Sequence, residues 1–132
     1  MDTGYIYVDD NIFTTLLAIS EDEQSKGLMY ESFPPPIMSF VYAEPKTNRF
    51  WMKNTPSPLD IVFCCHGIVK QICKGEPYST SIIGGTYDSD LVIEFPYGTV
   101  KNASINIGSK VGIVKPTTAE LKKIIAQKTG IF

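Results

Sequence analysis

Phe50-Trp51-Met52-Lys53-Asn54-Thr55-Pro56-Ser57-Pro58-Leu59-Asp60-Ile61 joins an aromatic and polar run to an apolar one through a link held by two prolines. In an extended chain successive side chains point to opposite faces. Phe50, Met52 and Asn54 then face one side, and Trp51 and Lys53 the other. The core takes Phe50 and Met52, which leaves Trp51 beside an ammonium group. Pro56 and Pro58 cannot donate to a ladder and stiffen the connection. Leu59 to Cys65 reads as a buried strand, with Asp60 set among its apolar residues.

The same reading extends outward. His66-Gly67 is a two-residue turn, and Ile68 to Cys73 returns as the second strand of a hairpin. With a tight turn, Ile61, Phe63 and Cys65 share a face with Ile68 and Ile72, and Asp60 lies opposite with Val62 and Cys64. Upstream, residues 5–8 and 12–19 form strands around the turn residues Asp9, Asp10 and Asn11. Ser20-Glu21-Asp22-Glu23 is a capping box, which predicts a short helix over 21–26 stopped by Gly27. Pro34-Pro35-Pro36 is an extended connector. Residues 37–54 are expected to form a hairpin with its turn at 44–48, and residues 74–90 a long loop. Leu91 to Phe95 is a strand, Pro96-Tyr97-Gly98 a turn, and Ile105 to Val114 holds a further short strand with a bend at Gly108. Thr117-Thr118-Ala119-Glu120 opens a second helix over about 117–129, with Leu121, Ile124 and Ile125 on one face.

The expected fold is therefore α+β, mostly β: a small closed or nearly closed barrel with one short helix in its first half and one helix at the C-terminus. The 132 residues suit a single domain, 1–132. A formal net charge of -2 with Arg49 as the single arginine argues against a nucleic-acid surface. No apolar run reaches the roughly 20 residues that span a bilayer. No export signal is read, so a cytoplasmic location is expected. Three cysteines are odd in number and suit free thiols rather than a disulfide framework.

Residues 20–111 resemble the uncharacterised family of bacterial, archaeal and phage proteins known as domain of unknown function 192. The resemblance rests on Gly27-Leu28-Met29, Met38-Ser39-Phe40, the unbroken block from Phe50 to Ile61, Val92-Ile93-Glu94, Gly98, and Ile105-Asn106-Ile107-Gly108. It implies a β-rich domain and no established reaction, cofactor or substrate. Many relatives carry an export segment ahead of this core, and the helix after Pro116 lies beyond it.

Trp51, Lys53, Asn54, Asp60 and Glu94 are the candidate ligand-binding residues. Trp51 and Lys53 form a stacking surface beside a charge, although Trp51 also suits a second core position with Lys53 its solvated neighbour. Asn54 ends the run before the prolines, where its amide either fixes the turn or meets a ligand. Asp60 in an apolar run needs a partner, and Lys53 is the nearest, Arg49 the next. Glu94 ends a strand and would approach Asp60 in a barrel. His66, the single histidine, reads as a turn residue. Cys64 and Cys65, as strand neighbours, make a poor chelating pair, so no metal, cofactor or catalytic residue is assigned.

The leading expectation is a non-catalytic binding module for a small polar ligand or peptide, a monomer or weak homo-oligomer. One alternative is a hydrolase or lyase using Asp60 and Glu94, which requires the two carboxyls within about 10 Å in one cleft. The other is a structural or assembly protein, of a kind a phage would encode, burying a partner on the terminal helix or a sheet edge.

Overall fold

The computed structural model describes residues 1–114. They form a seven-stranded sheet in the order β5-β4-β6-β3-β2-β1-β7, with two short helices. The strands are β1 (Asp2–Val8), β2 (Asn11–Ala18), β3 (Met38–Phe50), β4 (Leu59–Cys65), β5 (Ile68–Gly75), β6 (Ile83–Pro96) and β7 (Val111–Val114). The helices are α1 (Glu21–Lys26) and α2 (Thr99–Asn102). The helix expected over 117–129 lies outside the described residues.

Local chemistry explains the elements read correctly. The β1–β2 hairpin turns through Asp9 and Asp10, with Asp9 at φ 53 and Val8 paired to Asn11. In α1 the Ser20 hydroxyl accepts the Glu23 N–H, and the Glu23 carboxylate accepts the Ser20 N–H in return. Gly27 ends it at φ 51. The helix buries no residue of its own, so propensity alone would not hold it. Gln24 fastens it instead, donating to the carbonyls of Ala18 on β2 and Val41 on β3. His66 and Gly67 both have positive φ, at 50 and 76. That is the backbone of the two-residue turn whose twist suits a hairpin.

Three expectations are corrected. Residues 37–54 are not a hairpin: β3 runs from Met38 to Phe50 as one strand and pairs with β6. Residues 83–90 are not loop but the first half of β6. The ladder between these two strands shifts register between Val41 and Lys46 and again between Thr47 and Arg49. Bulges of this kind break the alternation that marks a strand in sequence. Asn48 stabilises the irregular stretch, donating to the Lys46 and Ser89 carbonyls and to the Ser89 hydroxyl. Ile72 pairs with Val62 rather than sharing the face of Ile61, because a further irregularity falls between Phe63 and Cys64. A one-residue slip exchanges the two faces of a strand.

The sheet curls into a half-barrel and does not close. Its outer strands approach at one end only. Val69 N–H donates to the Ser109 carbonyl, Gly108 N–H to the Val69 carbonyl, and Val111 N–H to the Gly67 carbonyl.

Apolar residues pack on both faces. One cluster contains Ile6, Val8, Val62, Cys64, Ile93, Phe95 and Ile105. The other contains Leu28, Phe40, Met52, Leu59, Ile61, Phe63 and Val92. The alternation of β4 and β6 between the two clusters decides which face each polar side chain joins.

Candidate functional site

On the face of the second cluster, α1, the 27–29 segment, β3 and Trp51 enclose a cleft of about 360 Å³. The blocks Gly27-Leu28-Met29, Phe40, Phe50-Trp51, Thr55 and Glu94, far apart in sequence, all line it. Hydrogen bonds to backbone carbonyls tie the 27–31 segment to the 50–61 block. Tyr30 N–H donates to the Asn54 carbonyl at 2.8 Å, and the Ser57 hydroxyl to the Glu31 carbonyl at 2.7 Å. Leu28 plugs the core beneath at 2% exposure.

Glu94 sits at the base of this cleft. Its partners across the sheet are Met38 on β3 and Ile61 on β4, so its side chain shares a face with Phe40 and Val92. It is 4% exposed. Its carboxyl makes no side-chain hydrogen bond or ion pair to another described residue. Burial pushes its pKa from 4.5 up to about 8. An unpaired carboxylate withdrawn from water is disfavoured relative to the neutral acid. At neutral pH the group is therefore largely protonated and has an O–H to donate.

Tyr42 lines the same cleft and is pushed up to about 12 by burial and by Glu94, so its hydroxyl keeps its proton. Lys46 stands over the Tyr42 ring, 5.0 Å from the ring centre. Arg49 and Lys26 add positive charge to the lining and Glu21 opposes it. The arrangement offers neutral O–H donors below and cations above.

The candidate residues do not all meet here. Trp51 lines the cleft and is 48% exposed, so it is not a second core residue. The Lys53 ammonium lies 5.2 Å from the Trp51 ring centre, on the shared side that alternation gave them. The strand has already ended at Phe50, however, and the pair is held by a turn in which Thr55 N–H donates to the Met52 carbonyl. Asn54 occupies that turn at φ 56, a conformation asparagine tolerates better than most residues. Met52 is fully buried, and Phe50 packs edge-on against Phe40 and Phe63.

Asp60 is elsewhere. It pairs across the sheet with Phe95, on the opposite face from Glu94. Its Oδ2 accepts the N–H groups of Gly98 and Val100, both at 3.0 Å, at the start of α2. Those donors are unsatisfied at any helix start. They, not Lys53 or Arg49, supply the partners that its position requires. The paired-carboxylate arrangement is thereby corrected: Asp60 and Glu94 project from opposite faces of one sheet and share no cleft. Asp60 borders a separate hollow with Tyr97, Lys101 and Asn106.

Sequence reading missed Gln24, Tyr42, Lys46 and Arg49 as parts of the cleft. The alternation of Met38, Phe40 and Tyr42 held the signal for Tyr42, since all three fall on one side of a strand. The supposed turn at 44–48 cut that strand short. No helix among the described residues is long and apolar enough to cross a membrane.

Comparison with known proteins places this geometry among relatives. A crystal structure of a protein from Sinorhizobium meliloti 1021, named provisionally as a transcription regulator, is 27% identical with a TM-score of 0.79. The match covers 85% of this chain and 94% of that one. A protein of unknown function from Novosphingobium aromaticivorans DSM 12444 is 28% identical with a TM-score of 0.76, over 83% of this chain and 84% of its own. None of the curated proteins matches the chain. The family described as an uncharacterized ACR, DUF192, matches residues 6–113. Reaching all seven strands and well over half of the chain, that match makes the chain a member of the DUF192 family.

Proposed function

We propose that this chain is a non-catalytic binding module whose site is the cleft between α1 and β3, and that it takes a small polar ligand bearing an anionic group. The observation that carries the reading is Glu94: a buried carboxyl without a side-chain partner at the base of an open cleft. Buried polar groups are nearly always paired, and a ligand acceptor would complete this one. Tyr42 presents a second O–H, Lys46 and Arg49 supply charge, and the half-exposed Trp51 supplies a stacking surface. Four of the blocks on which the family resemblance was read, 27–29, 38–40, 50–61 and 92–94, also reach this cleft, whereas Gly98, Ile105 and Asn106 border the separate hollow beside Asp60. The provisional naming of the Sinorhizobium protein adds no nucleic-acid role here, because the formal net charge is -2 with a single arginine.

The test is a titration with small carboxylates, phosphates and short peptides, followed by Trp51 fluorescence and by thermal shift. A ligand at a hundredfold its Kd stabilises the fold by about 2.7 kcal/mol. Arg49→Ala and Trp51→Ala should each weaken a hit. Failure of every ligand class to move either signal would defeat the proposal.

A further inference from the structure

The β4–β5 turn brings together three side chains that sequence reading kept apart. Cys65 ends β4, His66 begins the turn, and Asp90 stands on β6. One ligand atom from each lies within 4.8 Å of the other two. Cys64 contributes nothing: it points to the opposite face and is buried in the first cluster. The third donor comes instead from a strand twenty-five residues further on, by way of the β4–β6 ladder that pairs Cys64 with Leu91.

We propose that Cys65, His66 and Asp90 form a zinc-binding site on the surface of this turn. The donor set is sulfur, imidazole nitrogen and carboxylate oxygen, the mixture that a borderline-soft ion accepts in a four-coordinate shell. Zinc bond lengths put neighbouring donors roughly 3.3–3.6 Å apart, so the cluster must tighten by about 1 Å. The His66 side chain is 80% exposed and can swing without disturbing the core. Its Nδ1 already lies 3.9 Å from Asp90 Oδ2. Asp90 is held in place because the same oxygen accepts the His66 backbone N–H at 3.1 Å. Its other oxygen makes no hydrogen bond to a described residue. A ligand held in this way loses less freedom on binding a metal.

Binding exchanges the Cys65 thiol proton for the metal, and the proton is released to solvent. Cys65 is 9% exposed at the end of β4, and its sulfur lies within 4.8 Å of ligand atoms of the exposed His66 and of Asp90. The fourth position faces solvent and is filled by water. This site lies apart from the Glu94 cleft, and its fate does not depend on the ligand proposed there.

The experiment uses the full, reduced chain titrated with Cd²⁺, whose thiolate complex absorbs in the ultraviolet, and then with Zn²⁺ in competition. One equivalent should generate the band and zinc should remove it. Cys65→Ser should abolish the band, while Cys73→Ser should leave it intact. Losing an outer-shell partner alone costs 10–100-fold in affinity, so Asp90→Asn and His66→Gln should each weaken binding by about tenfold or more. His66→Gln changes only an exposed side chain and should fold normally, which circular dichroism verifies. A band that survives Cys65→Ser, no band in the unaltered chain, or unchanged affinity in either ligand variant would overturn the site.

Discussion

Glu94→Gln isolates the charge of the buried carboxyl while nearly preserving its shape. In the folded chain burial pushes this group from 4.5 up to about 8. Between those values the folded state holds a proton that the unfolded state has released. Stability must therefore fall as pH rises through that window, by about 1.4 kcal/mol per pH unit. The loss is complete above about pH 8. Across the full window it amounts to roughly 5 kcal/mol, and by pH 7 to roughly 3 kcal/mol. Below 4.5 both states are protonated and the penalty vanishes. Glutamine does not titrate, so any packing or hydrogen-bonding cost it brings is constant with pH. The stability of the variant minus that of the original chain should therefore climb steadily from pH 5 to pH 8 and then level off. Urea unfolding of both proteins at half-unit intervals from pH 5 to pH 9 measures that difference. Parallel curves would mean that Glu94 is ionised in the native state, and the cleft would lose the neutral donor on which the binding proposal rests.

Asp60→Ala should destabilise the chain by about 2–4 kcal/mol, since it strands the Gly98 and Val100 N–H groups; any ligand response at Trp51 should persist, because Asp60 faces the other side of the sheet. Denaturation midpoints and the fluorescence titration check the two halves of that statement. Gly84→Ala should cost about 2–4 kcal/mol in the same unfolding assay: the residue sits at φ 84, and an added Cβ would overlap the buried Phe63 ring. A loss below about 1 kcal/mol would show that β6 adjusts freely at this point.

Much of the fold was legible wherever the information was local. The capping box at Ser20 and Glu23, the aspartate turn at 9–10 and the His66-Gly67 turn are each decided by a few adjacent residues, and each formed as the sequence indicates. The long strands were not legible. Glu44, Lys46 and Thr47 are polar and, like Pro45 between them, exposed, and read alone the four look like a turn. What makes them a strand is β6, some forty residues away, where Ser89 and Asp88 pair with Lys46 and Thr47. Helix α2 spans only Thr99–Asn102, too short to show a period. The site divided in the same way. Alternation put Trp51 and Lys53 together, and it put Asp60 with Val62 and Cys64. It could not reveal that Asp60 would meet the backbone of α2, because those donors come from residues 98 and 100. Nor could it supply Asp90 as the companion of Cys65 and His66, for that contact exists only across the β4–β6 ladder.

The central position of β6 has a consequence for synthesis from the N-terminus. β3 takes its main partner, and β4 its second, from residues 83–96, so neither can be finished while that segment is still inside the ribosome. Until then β3 has only its short parallel contact with β2, Leu16 to Met38 through Ala18 to Phe40. The β4–β5 hairpin closes early, because its ends are near in sequence and hairpins form within microseconds. Every residue of β4 is buried in the finished fold, yet at this stage the nascent hairpin presents that apolar surface uncovered. A chain stalled just before Ile83 is thus at its most adhesive, and this is the interval in which a chaperone would have most to do.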